Sequence, residues 1–274
     1  MRRLTLVACA VLAAWTDGAA QTPRPPIGFA YTASQFDCAR FVERSRGTLD
    51  AETGMARRHE TLRRDAVWLM RAQPAPEGTA SGALTLEAWL DSLSLAREGP
   101  EGTRAPDTDG LLGGRYRGTL TATGRYTATA RPFVPDEVAE VAELGAAMDD
   151  LLPPLPPVAL AVGQRWEDSS GLELRRLPDS TAGRRVLRRL GLRSRTQADR
   201  ADIRGDTTPV PATQRVEEDG IIEWEAGRGL VRRVRHIVVE TSVPAGGAVR
   251  RALRSRLAQE VTLVRTAGGC AESP

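Results

Sequence analysis

The sequence predicts a mainly β (α+β) protein, a curved antiparallel sheet or half-barrel of about ten strands with one central helix. Three observations carry this expectation. Apolar and polar residues alternate with period two over much of the chain. Gly-containing turn steps separate the alternating runs. One segment alone repeats its apolar residues at helical spacing.

The clearest alternation is Thr119 to Ala130. Leu120, Ala122, Gly124, Tyr126, Ala128 and Ala130 fall on one face, and Thr119, Thr121, Thr123, Arg125, Thr127 and Thr129 on the other. That pattern reads as one half-buried strand with β-branched Thr on its wet side. Leu62, Ala66, Trp68 and Met70 repeat it on even numbers, as do Leu84, Leu86, Ala88 and Leu90. Leu93 and Leu95 are odd, and a one-residue change of the inside face predicts a β-bulge near Asp91-Ser92.

The helix is expected over residues 135–152. Pro135 suits a first turn, Asp136 and Glu137 favour the positive end of the dipole, and Val138, Val141, Leu144, Met148 and Leu151 recur at helical spacing. Leu152-Pro153-Pro154-Leu155-Pro156-Pro157 then stops it as an extended connector. Strands resume with Leu190, Leu192, Ser194, Thr196 and Ala198. Thr213 to Glu217 and Ile221 to Ala226 flank Glu218-Asp219-Gly220, whose Asp-Gly step predicts a hairpin turn. Leu230 to Val243 follows. The last strand puts Val249, Leu253, Leu257, Val261 and Leu263 on odd positions, with Arg250, Arg254, Arg256 and Glu260 on even ones.

The ends of the chain read differently. Arg2 and Arg3, the apolar run Leu4 to Trp15 and the small residues Gly18-Ala19-Ala20 form a secretory leader over 1–20, cleaved near Ala20. The run is shorter than the roughly 20 apolar residues that a membrane-spanning helix needs. The expected protein is therefore exported, periplasmic or secreted, with no transmembrane segment. A Pro-rich lead-in occupies 21–30, a single β domain 31–267 and a tail 268–274. Once the leader and its Cys9 are removed, Cys38 and Cys270 remain, and an even pair in an exported protein is a disulfide candidate.

Composition and motifs exclude more than they identify. All 38 basic residues are Arg, against 35 acidic ones, for a formal net charge of +3. The densest basic stretch, Arg184 to Arg204, holds no aromatic residue and reads as the wet face of a strand rather than a nucleic-acid surface. His59-Glu60 opens like a zinc-protease motif, but Arg63 stands where the second His belongs. His236, among alternating valines, reads as a partly buried strand residue. Asp107-Thr108-Asp109-Gly110 lacks the later ligands of a calcium loop, with Leu111 and Gly118 in their places. Glu137, Glu140 and Glu143 read as a solvated helix face. No Gly-x-Ser-x-Gly elbow is present. The expectation is no catalytic residue, no metal and no cofactor. What remains is shape: a half-barrel whose apolar residues Trp68, Trp89, Met148, Leu151, Trp166 and Trp224 line a space for an apolar guest.

The leader, the segment Leu152-Pro153-Pro154-Leu155-Pro156, Val162-Gly163-Gln164-Arg165-Trp166 and the Gly-terminated hairpins of the last third resemble exported bacterial proteins of unknown function. These are similar in plan to the lipoprotein-carrier (LolA-like) half-barrels, and the likeness runs over Ala33 to Arg265 by element order. The resemblance implies a non-enzymatic envelope module that holds an acyl chain. The expected partner is thus a lipid or other apolar ligand, or another envelope protein, and not nucleic acid. Two alternatives stand beside it: a structural or protein-interaction module docking through a strand edge, and a hydrolase built on paired carboxylates.

Overall fold

The computed structural model describes residues 27–77, 79, 81–144, 147–202, 210–245 and 251–270. The leader and Val249 lie outside the described residues, as do the last four residues of the tail. The strands are β1 (Ala39–Thr53), β2 (Ala56–Pro74), β3 (Leu84–Gly99), β4 (Gly102–Arg104), β5 (Arg115–Leu120) and β6 (Tyr126–Ala130). After two short helices, α1 (Asp136–Ala139) and α2 (Ala147–Leu151), come β7 (Arg165–Glu167), β8 (Leu172–Ala182), β9 (Arg185–Asp202), β10 (Val210–Glu225), β11 (Gly229–Val243) and β12 (Leu253–Thr266).

They form one antiparallel sheet of 12 strands in the order β6-β5-β3-β2-β1-β12-β11-β10-β9-β8-β7, with β4 paired to β3. The sheet is curved and unclosed, since β6 and β7 are its two edges. The first and last long strands, β1 and β12, pair over their whole length, from Arg40 opposite Thr266 to Thr53 opposite Leu253. Cys38 and Cys270, just beyond that pairing, form a disulfide with Cα atoms 5.5 Å apart. Across the opening, two irregular segments bridge the edges. Tyr31 N–H donates to the Ala122 carbonyl at 2.9 Å, Leu155 N–H to Thr123 at 2.9 Å, and Ile27 pairs with Leu160.

Period two places the core on the concave face. Phe41, Trp68, Met70, Leu86, Leu90, Leu120, Leu190 and Ile222 are all essentially inaccessible there, packed with Val138, Leu144, Met148, Leu152 and Leu155 from the connecting segment. The phase slip in β3 is a true bulge. Val67 pairs with Ser92 and Trp68 with Leu90, so Asp91 is the extra residue, and the buried face passes from even positions to Leu95.

Three expectations need correction. Thr119 to Ala130 is not one strand but the hairpin β5–β6. Its turn is closed by Thr121 and Arg125, with Gly124 at a φ of +88° that favours glycine. A five-residue loop preserves the even-number parity of both strands, so alternation alone cannot reveal it. The expected hairpin at Asp219-Gly220 is strand interior: β10 runs straight through, pairing Gly220 with Leu192 and Arg235. The turn lies instead at Gly227, with a φ of +78°.

The single helix over 135–152 is also absent, replaced by α1 and α2. Side chains from the sheet capture the carbonyls that a continuous helix needs. Arg97 Nη1 donates to the Glu140 carbonyl at 2.8 Å and Tyr116 Oη to the Leu144 carbonyl at 3.1 Å. The apolar spacing nevertheless marks the right residues, because Val138, Val141, Leu144, Met148 and Leu151 are all buried.

Candidate functional site

The segment carrying α1 and α2 roofs a cavity of about 230 Å³ over the concave face of β2, β1, β12 and β11. Register dictates what faces it. Glu43 and Ser45 of β1 stand beside Leu263 and Val261 of β12, which in turn stand beside Arg233 and Arg235 of β11. Arg64 of β2 is opposite Ser45. Leu62, Ile237 and Leu257 extend the floor, and Val141, Ala147 and Leu151 hang from the roof.

The cavity therefore has an apolar wall and a charged one. Glu43, with its side chain 3% exposed, accepts from Trp68 Nε1 at 2.8 Å and pairs with Arg64. Glu218 of β10 accepts from Arg235 Nε and Nη2 at 2.7 and 2.9 Å and from Arg233 Nη2 at 3.2 Å. Arg233 also donates to the Leu151 carbonyl at 3.4 Å, which ties α2 to the sheet. Gln259 Nε2 donates to Ser45 Oγ at 2.5 Å. Isolated charges this deep are costly, and the pairing offsets that cost. Burial raises the Glu218 carboxyl, but the hydrogen bonds and charges of Arg235 and Arg233 outweigh it and hold the group below the usual Glu range. Burial pushes the Tyr116 phenol, anchored to Leu144, up to about 12.

These residues were missed in the sequence because arginine reads as solvent-facing. Arg233 and Arg235 point inward while Val234, Val238 and His236 occupy the convex face, the reverse of the sequence reading. His236, expected to be partly buried, is half exposed and 3.9 Å from Glu260. The available cue was parity: β12 fixes its odd residues inside, and β11 pairs with it odd to odd.

The residues expected to line a ligand space are scattered. Leu151 reaches the charged cavity. Trp68 lies beneath it as the donor to Glu43 and packs edge-on to Tyr116 at 5.5 Å. Met148 is within the core. Trp224 packs against Phe29 and Tyr31 near the bridged opening. Trp166 lines a separate cavity of about 540 Å³ there, with Tyr126, Leu155 and Leu172. Trp89 is on the convex face, covered by the Arg115 guanidinium 3.8 Å from its ring.

His59 is exposed and 2.6 Å from Asp50. Among the described residues, no group of three or more His, Cys, Asp or Glu comes together as a metal site, and no helix is long and apolar enough to cross a membrane. No known family model matches the sequence, and no curated protein does. Among solved structures the chain is similar to one described as "Lipid-protein interactions in lipovitellin", with a TM-score of 0.41 and 10% sequence identity. The likeness covers 87% of this chain and 26% of that one, so this chain spans about a quarter of its length.

Proposed function

We propose that this is an exported, non-enzymatic binding protein whose half-barrel holds a lipid or other apolar ligand against its concave face. The observation that carries the reading is the cavity under α1 and α2, where Leu62, Leu151, Ile237 and Leu257 leave apolar surface unfilled. A void of that kind forfeits packing contacts unless something occupies it. The ionised state of Glu218 argues against a general acid at neutral pH, since its proton is held only below the usual range. Export rests on the leader, and a disulfide joining Cys38 to Cys270 fits an oxidising compartment. The lipoprotein-carrier resemblance implies an acyl-chain holder, and a curved, unclosed sheet supports that reading.

Titration with a fluorescent fatty acid tests the proposal. Saturable uptake is expected, and Leu257→Trp, which fills the floor, should weaken it at least tenfold while leaving the fold intact by circular dichroism. No uptake by the wild-type protein would remove the lipid reading.

A further inference from the structure

On the reading of the concave face as a ligand site, we infer that the ligand carries a long, unbranched hydrocarbon chain. That chain leaves the roofed cavity and lies along β1 and β12 toward Leu253. A second cavity of about 400 Å³ lies on the same face, with Leu49, Ala51, Ser255 and Leu253 in its lining. Register makes it the continuation of the first. On β12 the inward residues Val261, Gln259 and Leu257 line the roofed cavity, and the next two, Ser255 and Leu253, line the second. On β2, Arg64 and Leu62 line the one and Glu60 and Arg58 the other. Neither strand has an inward position left between them. On β1 only Gly47 separates Ser45 from Leu49 at the inward positions, and it offers no side chain to divide the space. The two volumes together fall within the roughly 300–1,000 Å³ of ordinary ligand sites.

The floor of this trough is apolar and uncovered. Leu49, Leu62, Leu253, Leu257 and Ile237 face inward yet are only half-buried, unlike Phe41, Trp68 and Leu263 farther along β1, β2 and β12. Contiguous apolar surface with a polar rim marks a ligand groove. The charges along the β2 side are paired, Arg64 with Glu43 and both Arg58 and Arg97 with Glu60. What a ligand gains here is therefore burial of the floor. A compact molecule under the roof would leave Leu49 and Leu253 in water, whereas an extended chain covers them. Along β1 the roofed stretch from Glu43 to Gly47 rises about 13 Å, and the whole run to Thr53 about 33 Å.

Displacement of a bound fluorescent fatty acid from the intact protein tests this, using octanoate, dodecanoate and hexadecanoate as competitors. Affinity should rise about fourfold per methylene from octanoate to dodecanoate and go on rising to hexadecanoate. Ala51→Trp and Ser255→Phe each fill the outer cavity, from different strands. Each should weaken hexadecanoate at least tenfold, the loss of two buried methylenes, and leave octanoate unchanged. Circular dichroism checks that both variants keep the fold. Hexadecanoate binding to both folded variants as tightly as to the wild-type protein overturns the outer path and leaves a ligand confined under the roof. An affinity that levels off at octanoate overturns the long chain in the same way. If the fluorescent fatty acid itself fails to bind the wild-type protein, the ligand-holding function falls with the inference.

Discussion

Arg233 and Arg235 show how much a single side chain can change the character of a curved, open sheet. Each carries a charge into the concave interior, and Glu218 answers both. The folded-state carboxyl of Glu218 is held below its ordinary 4.5, so its contribution to stability is fully present above that pH and is lost as pH falls through the folded value. Glu218→Gln should cost about 3 kcal/mol at neutral pH, because two buried cations lose their carboxylate. It should also flatten the fall in urea midpoint below pH 4.5, whereas an unchanged acid limb would show that Glu218 is not the group responsible. None of this was legible from residue type, since Arg next to Val in a strand defaults to solvent. It becomes legible once β12 sets which parity is inside. Trp68 and Leu151 stand out in the sequence by their apolar character alone, whereas Glu43 and Arg64 offer no such mark.

At the scale of elements, backbone competition decides what alternation and spacing leave open. Period two located β2, β3, β9, β11 and β12 and, through Leu93 and Leu95, the bulge at Asp91. It failed where parity survives a turn, as in β5–β6, and where a turn-like dipeptide sits inside a strand. Asp219-Gly220 is the second case. Gly→Ala at an ordinary strand φ stabilises by roughly 0.4–1 kcal/mol through the unfolded state. At Gly220, however, an added Cβ would collide with the Val234 carbonyl oxygen. Gly220→Ala is therefore expected to lower stability by about 2 kcal/mol in urea denaturation. A neutral or stabilising result would contradict the strand-interior placement. The broken helix has the same logic. Val138, Leu144 and Met148 carry the burial pattern of a helix, but Arg97 and Tyr116, distant in sequence, take its carbonyls.

For the whole molecule, an open sheet must hide its interior without closing on itself. Here the chain does so with parts that the sequence marks only as irregular: Ile27 to Phe36, and the proline segment from Leu152, which pin the β5–β6 turn through Tyr31 and Leu155. The pairing of β1 with β12 brings the two ends of the domain together, and the Cys38–Cys270 bridge locks them. The curved antiparallel architecture was legible, although β1, β4, β7 and β8 were not among the strands read from alternation, β5–β6 was read as one strand and β10 as two. The charged roofed cavity was not, because it arises from four strands and a roof segment meeting only in three dimensions. Its occupancy is the central claim. Native mass spectrometry of the protein purified under mild conditions from its native source measures it directly. The account predicts a discrete added mass that organic extraction removes and that Leu257→Trp abolishes. A bare polypeptide mass for the wild-type protein, unchanged after incubation with fatty acid, would contradict it.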